Sequence, residues 1–151
     1  MNEVNSPWPL LGQCLCGAIS LKVDALAGPL MFCHCLECRK SAGAPLIAVV
    51  RVVARDFHLN DLRATLTSYR VTPHKARYFC ACCGCPVYSA RDGGETVRVR
   101  AGVLQLPADV ALGAHIYCAD MANWDKIHDD LPRFDDIEPG REPLANFEEA
   151  Q

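Results

Sequence analysis

Phe79-Cys80-Ala81-Cys82-Cys83-Gly84 is the stretch that decides the fold, and Gly12-Gln13-Cys14-Leu15-Cys16-Gly17 is its earlier counterpart. Each stretch contains a pair of cysteines two or three residues apart, Cys80 with Cys83 and Cys14 with Cys16, and a glycine follows the second cysteine of the pair. Two such sulfurs can reach one metal ion if the backbone then reverses, and glycine tolerates the positive φ that this reversal often requires. The two stretches therefore predict a four-cysteine site that ties an early strand to a late one and binds zinc, the usual ion of four-sulfur sites. Its ligands are Cys14, Cys16, Cys80 and Cys83.

The later stretch allows two registers. Cys82 and Cys85 have the same spacing as Cys80 and Cys83 and could supply the pair instead. Cys80 and Cys83 are favoured because a glycine follows Cys83, whereas a proline follows Cys85. The alternative that all of these are buried free thiols is disfavoured by the paired spacing.

A second group of cysteines, the three-cysteine site, consists of Cys33, Cys35 and Cys38. Three thiolates match a catalytic zinc, which binds three protein ligands and leaves one position open for water or substrate. Arg39 and Lys40 follow directly, and their positive charge could offset the negative charge of the bound thiolates.

The same site has a structural alternative. A fourth ligand from Cys82, Cys85, Cys118 or a histidine would close it into an inert zinc site. His34, between two of the cysteines, would project to the opposite side of an extended stretch. It is therefore predicted to be a hydrogen-bonding neighbour of the site and not a ligand.

Composition sets the wider limits. The chain has 151 residues, of which half are apolar and 22% charged, and this predicts one globular domain over 1–151, with its core at about 12–132 and a peripheral tail at 133–151. The net charge of −3 disfavours a broad nucleic-acid or anionic-membrane surface. No targeting or membrane-spanning segment is visible, so a cytoplasmic location is expected. In that reducing compartment, clustered cysteines favour metal over disulfides.

The residue pattern predicts a mainly β fold. Residues 1–12 are expected to be an irregular lead-in, and residues 35–42 and 121–130 have the signal for a turn or two of helix. The predicted strands are 17–23, 46–53, 68–71, 76–79, 86–90, 96–100 and 115–118.

The hairpin formed by the fifth and sixth of these strands has the clearest signal. Arg91-Asp92-Gly93-Gly94 separates its strands as a turn. In the second strand, Val97 and Val99 are predicted to face the core, while Arg98 and Arg100 face outward.

Taken together, these motifs resemble those of the glutathione-dependent formaldehyde-activating enzyme family, which includes the centromere protein V type. The resemblance runs over about residues 12–132, and the late His115…Trp124…Leu131-Pro132 is a weaker part of it. It rests on three blocks in this order: Gly12-x-Cys14-x-Cys16-Gly17, Cys33-His34-Cys35-x-x-Cys38-Arg39-Lys40-x-x-Gly43 and Phe79-Cys80-x-x-Cys83-Gly84.

The resemblance implies a β-tent fold of small antiparallel sheets, pinned by a structural zinc at the four-cysteine site. It implies a second, labile and catalytic zinc at the three-cysteine site, and hence two zincs per chain. The implied activity is a carbon–sulfur lyase reaction that condenses glutathione with formaldehyde to S-hydroxymethylglutathione. The implied partners are a small-molecule thiol and a small aldehyde, with no nucleic acid and no membrane.

Two other functions are compatible with the residues. One is a non-catalytic binding module that uses the zinc-stabilised fold to hold a partner. The other is zinc or redox buffering through Cys82, Cys85 and Cys118, which are additions to the family pattern.

Overall fold

Ten strands and one α-helix, α1 (Leu36–Ala42), make up most of the regular structure of residues 8–140, the part of the chain that the computed structural model describes. The smaller sheet consists, in hydrogen-bonding order, of β1 (Leu10–Gln13), β2 (Ser20–Val23) and β5 (Phe57–Asn60). The strands of the larger sheet are β3 (Leu30–Cys33), β4 (Ile47–Val53), β6 (Leu66–Thr72), β7 (Lys75–Cys80), β8 (Pro86–Arg91), β9 (Thr96–Arg100) and β10 (Leu112–Ile116). Their order is β10-β3-β4-β9-β8-β7-β6.

The prediction of a mainly β fold with antiparallel sheets is confirmed, with one exception in strand direction. β10 pairs with β3 in parallel, whereas every other pair among these ten strands is antiparallel. Three strands were not predicted, namely β1, β3 and β5. Each has four residues, too few for a pattern to repeat, and depends on partners distant in sequence. The helix expected at 121–130 is absent, and no described helix is long and apolar enough to cross a membrane.

One face of the larger sheet forms the main core. Val50, Val52, Val87 and Val99 are fully buried there, in one cluster with the apolar side of β2. Each such side chain contributes about 1.5–3 kcal/mol relative to an exposed one. This core holds the two sheets together.

The opposite face of the larger sheet is the one that matters for function. Val50 pairs with Val99, and the next pair along the two strands is Val49 with Arg100. Because successive residues of a strand alternate between faces, Val49 and Arg100 point away from the main core. Arg100 therefore lies on the face opposite the main core, as predicted. The expectation that it is exposed to solvent is wrong, since only 7% of Arg100 is exposed.

Helix α1 lies over part of this second face. Its residue Cys38 is buried in a second apolar cluster that includes Val49 from β4 and Ile116 from β10. The helix begins after Cys35, whose Sγ accepts a hydrogen bond from the backbone N–H of Cys38. It ends at Gly43, which has a positive φ of 62° and so stops the helix without strain.

Residues 132–136 run along the free edge of β10. The N–H of His115 donates to the carbonyl of Pro132, and the N–H of Phe134 donates to the carbonyl of His115, both at 2.9 Å. Phe134 also packs against the second apolar cluster. The first part of the predicted tail is thus attached to the sheet, and 141–151 lies outside the described residues.

Candidate metal sites and the adjoining cavity

The four-cysteine site joins the end of β7 to the turn that follows β1. All four sulfurs lie within 4.8 Å of one another. Sγ of Cys16 is 3.7 Å from that of Cys14 and 3.8 Å from that of Cys80. Tetrahedral zinc with bonds of about 2.3 Å requires sulfurs about 3.8 Å apart. The donor set therefore fits zinc in both chemistry and spacing.

Backbone turns hold these sulfurs in place. Gly17 has φ of 76° and donates to the carbonyl of Cys14 at 3.0 Å. Gly84 has φ of 72° and donates to the carbonyl of Cys80 at 2.8 Å. Ile19 donates its N–H to Sγ of Cys14 at 3.3 Å. Both glycines occupy the left-handed region, as the sequence predicts.

The structure also distinguishes the two registers of the later stretch. The sulfurs of Cys80 and Cys83 belong to the four-cysteine site, whereas those of Cys82 and Cys85 do not. Cys82 is exposed, and the thiol of Cys85 lies 3.7 Å from the carbonyl oxygen of Pro86.

The three-cysteine site forms where β3 ends and α1 begins. Its sulfurs also lie within 4.8 Å of one another. The three thiols share hydrogen bonds, and those from Cys33 and Cys35 lower the pKa of Cys38, with a further contribution from Arg77. Conversely, the hydrogen bonds with Cys35 and Cys38 raise the pKa of Cys33. The Arg77 guanidinium beside Cys38 favours the thiolate form of that residue.

No fourth protein ligand approaches this site within residues 8–140. At the three-cysteine site, the group of metal-ligating atoms within 4.8 Å of one another consists of the three sulfurs, and no other described residue adds an atom to it. Cys82 and Cys85 lie beside the other site, and neither Cys118 nor any histidine joins the group. Three donors with room for a fourth match an open zinc position in the chemistry of the donor set.

The three cysteines line a cavity of about 520 Å³ on the second face of the larger sheet. Its apolar lining includes Ile47, Val49 and Ile116. The basic side chains outnumber the acidic ones, five to three. The basic residues are Lys75, Arg77, Arg91, Arg98 and Arg100, and the acidic ones are Glu37, Glu95 and Asp120. A small, negatively charged ligand fits this environment.

Arg39 and Lys40, the residues expected to supply positive charge, do not line the cavity. Arg77 of β7 is the cation that touches the sulfurs, with Nη2 3.6 Å from Sγ of Cys38. Arg77 is far from Cys38 in sequence and comes close to it only in the folded chain. The residues around the cysteines therefore could not predict this contact.

Arg77 also attaches α1 to the larger sheet. Its Nη2 is 3.2 Å from Oε2 of Glu37, and its Nη1 donates to Oγ of Ser41 at 3.3 Å. Lys75 forms a second ion pair with the same Glu37 oxygen at 3.3 Å. The charge of Glu37 is therefore balanced by two cations of the protein, Lys75 and Arg77. Arg77 still contacts the sulfur of Cys38.

Arg100 has a different environment. Its side chain makes no hydrogen bond or ion pair with the described residues, and its Nε is buried. Burial lowers the pKa of Arg100, and so does the charge of Arg77, while the three thiols raise it. The alternation in 96–100 indicates which face Arg100 occupies but not what covers it.

A chain of hydrogen bonds runs from His34, which lies between two of the cysteines in sequence, through His115 to Asp129. His34 Nε2 is 2.8 Å from His115 Nδ1, and His115 Nε2 is 3.0 Å from Oδ2 of Asp129. His34 is fully buried, and the burial lowers its pKa. Its ring is hydrogen-bonded to His115, and it is not among the metal-ligating atoms grouped at the three-cysteine site.

Comparisons with known proteins found similarities that extend over most of the described residues. A family model described as glutathione-dependent formaldehyde-activating enzyme matches residues 9–120. A crystal structure of a Rhodobacter sphaeroides protein is similar with a TM-score of 0.54 and 22% identity, covering 66% of this chain and 91% of that one. At this identity the likeness concerns the fold alone. A search of curated proteins found no significant match.

Proposed function

We propose that this chain, which belongs to the glutathione-dependent formaldehyde-activating enzyme family, is a zinc-dependent carbon–sulfur lyase. It joins a thiol, glutathione or a close relative, to formaldehyde or a related small electrophile. The observation that carries this proposal is the three-cysteine site, which lies in the wall of a basic cavity and lacks a fourth ligand among residues 8–140. With glutathione and formaldehyde, the product is S-hydroxymethylglutathione.

Zinc is the proposed ion at both sites. At the four-cysteine site, with its ligands Cys14, Cys16, Cys80 and Cys83, it would be structural. At the three-cysteine site, Cys33, Cys35 and Cys38 would hold the second ion, and bound zinc supplies an acidic centre at which an incoming thiol is held as thiolate near neutral pH.

The residues around the sulfurs keep the site negative and ordered. Arg77 donates to Sγ of Cys38, and the N–H of Cys38 donates to Sγ of Cys35. Both contacts favour the thiolate forms that a metal requires. Because Arg77 also binds Glu37, the helix that contains Cys38 and is capped by Cys35 is fixed to the sheet.

The proposed reaction is an addition with simple atom balance. The thiol proton goes to solvent, and the sulfur attacks the aldehyde carbon to form the C–S bond. The C=O π electrons move to oxygen, which takes up a proton to become the hydroxymethyl group. The cationic side chains that line the cavity would stabilise the negative charge that develops on oxygen.

Exchange NMR spectroscopy of glutathione and formaldehyde tests this function directly. We expect the zinc-loaded protein to accelerate formation and breakdown of the adduct, and Cys35→Ser to lose this effect. Cys82→Ser is the matched control, since Cys82 is exposed and belongs to neither site. No acceleration by the zinc-loaded parent, or equal rates for the parent and Cys35→Ser, contradicts the proposal.

We also propose that 1–151 acts as one domain in the cytoplasm. All ten cysteines lie within the described residues, and none of them forms a disulfide. Thiols in such groups are maintained in reducing compartments.

A further inference from the structure

We propose that Arg100 anchors a carboxylate of the thiol substrate, so that the cavity selects acidic thiols over neutral ones. This inference rests on the proposed function and deepens it by naming the substrate class. It starts from Arg100, a residue that is 7% exposed and whose buried Nε has no hydrogen-bond partner in the described part of the protein.

The strand register places Arg100 on the same surface as the three-cysteine site. Arg100 pairs with Val49, and Val49 pairs with Met31 on β3. Cys33 lies two residues beyond Met31, on the same face. Standard strand spacings then put the Cα atoms of Arg100 and Cys33 about 12 Å apart. Both residues line the same cavity, so one small molecule can reach both.

The other basic groups of the cavity already have protein partners. Lys75 and Arg77 form ion pairs with Glu37. Arg91 and Arg98 each make interactions with other residues. The side chain of Arg100, by contrast, makes no hydrogen bond or ion pair with the described residues, and its buried Nε has no hydrogen-bond partner.

The chemistry of the guanidinium identifies the ligand group. Its N–H donors form a planar fork that matches a carboxylate through two parallel hydrogen bonds. Glutathione carries two carboxylates, whereas simple alkyl thiols carry none. A carboxylate entering the cavity would give Arg100 the partner that the protein does not supply.

An alternative role for Arg100 is to balance the charge of the thiolates. The geometry assigns that role to Arg77, which is within 3.6 Å of Sγ of Cys38. Arg100 makes no hydrogen bond to a sulfur and acts on the thiols only through its charge. The two roles predict different outcomes for ligand binding and zinc content.

Calorimetric titration of the zinc-loaded full chain separates them. The probes are S-methylglutathione, whose sulfur cannot react, and its diethyl ester, which has lost both carboxylates. We expect Arg100→Gln to weaken binding of S-methylglutathione about tenfold or more, with Arg100→Lys intermediate. Binding of the ester should not change, nor should zinc content. Arg63→Gln is the control, since Arg63 is exposed and outside the cavity.

Three results would overturn the anchor. The first is that the parent and Arg100→Gln bind S-methylglutathione with equal affinity, and the second is that the parent does not bind it detectably. The third is that Arg100→Gln loses zinc while it still prefers S-methylglutathione to the ester as much as the parent does. Because the probe cannot react, this test is independent of catalysis. If the protein prefers the free acid through Arg100 but does not accelerate adduct formation, the carboxylate anchor stands and the lyase function fails. If it accelerates adduct formation without a preference that depends on Arg100, the lyase function stands and the anchor fails.

Discussion

His34 Nε2 lies 2.8 Å from His115 Nδ1, and both histidines are buried, with 0% and 4% of their surfaces exposed. Asp129 accepts from Nε2 of His115, so in the neutral ring Nδ1 is an acceptor and His34 donates to it. Residue 129 lies beyond the family match at 9–120. A segment beyond the matched residues is thus connected through two rings to the backbone between Cys33 and Cys35.

Removing the acceptor should destabilise the protein. In His115→Phe the ring remains and can still stack on Phe32, whose centroid is 5.0 Å away. The donor of His34 is left buried without a partner, which costs about 1–3 kcal/mol. Urea unfolding of the zinc-loaded protein measures the loss, with exposed His128→Phe as control. Equal stability of His115→Phe and the parent would show that the hydrogen bond contributes nothing.

The four-cysteine site should dominate thermal stability. We expect Cys80→Ser to lose one zinc and much of the fold's stability, because a structural zinc contributes on the order of 10 kcal/mol. Cys82→Ser changes the same type of residue two positions away, but its side chain is exposed and outside the site. Zinc content and melting temperature, measured together, check this. Similar losses in both variants would contradict the assignment of the register.

The close approach of β1 to residue 103 should exclude a side chain at Gly12. A Cβ there would collide with the carbonyl oxygen of Val103, which is backbone and cannot rotate away. We expect Gly12→Ala to cost about 1–3 kcal/mol through forced displacement. Gly102→Ala is the matched control, because a Cβ at Gly102 meets nothing within 4 Å. Chemical denaturation of the two variants should separate them clearly.

Asp61 should contribute to acid sensitivity. Its carboxylate accepts from the N–H groups of Thr65 and Leu66 at 2.9 and 2.7 Å, and these bonds lower its pKa below the ordinary 3.8. The folded state therefore favours the charged form, and the stabilisation is present above about pH 4 and lost as pH falls through the folded pKa. We expect Asp61→Asn to lower the melting temperature at pH 7, with a difference that shrinks towards pH 3. A difference that is constant or grows on acidification would contradict this.

Arg100 and Arg77 should affect stability with opposite signs. Replacing the unpartnered Arg100 by Met removes a buried charge and should stabilise the zinc-loaded, ligand-free protein by about 1–3 kcal/mol. Arg77→Met should destabilise it, because Glu37 and Cys38 lose their partner. Melting curves of both variants check the pair. A lower melting temperature for Arg100→Met would mean that the protein itself uses this charge.

Much of the secondary structure follows from local patterns. The predicted strand 96–100 coincides with β9, and the helix expected at 35–42 becomes α1 at Leu36–Ala42. The family resemblance, inferred from three cysteine blocks, is confirmed by the match to the family model. Alternation over five residues and the spacing of cysteines are properties of neighbouring residues, so the sequence shows them directly.

The sequence by itself determined the seven candidate ligand cysteines, the mainly β class and the family, because each depends on residue type and short spacing. Only the tertiary structure decided which pair of the later stretch meets Cys14 and Cys16. It also showed that no described residue completes the three-cysteine site, and that Arg77 and Arg100 line the same cavity. These facts depend on which strands pair and which face α1 covers. The energies that set such pairings come from contacts between residues far apart in the chain, which short-range patterns do not record.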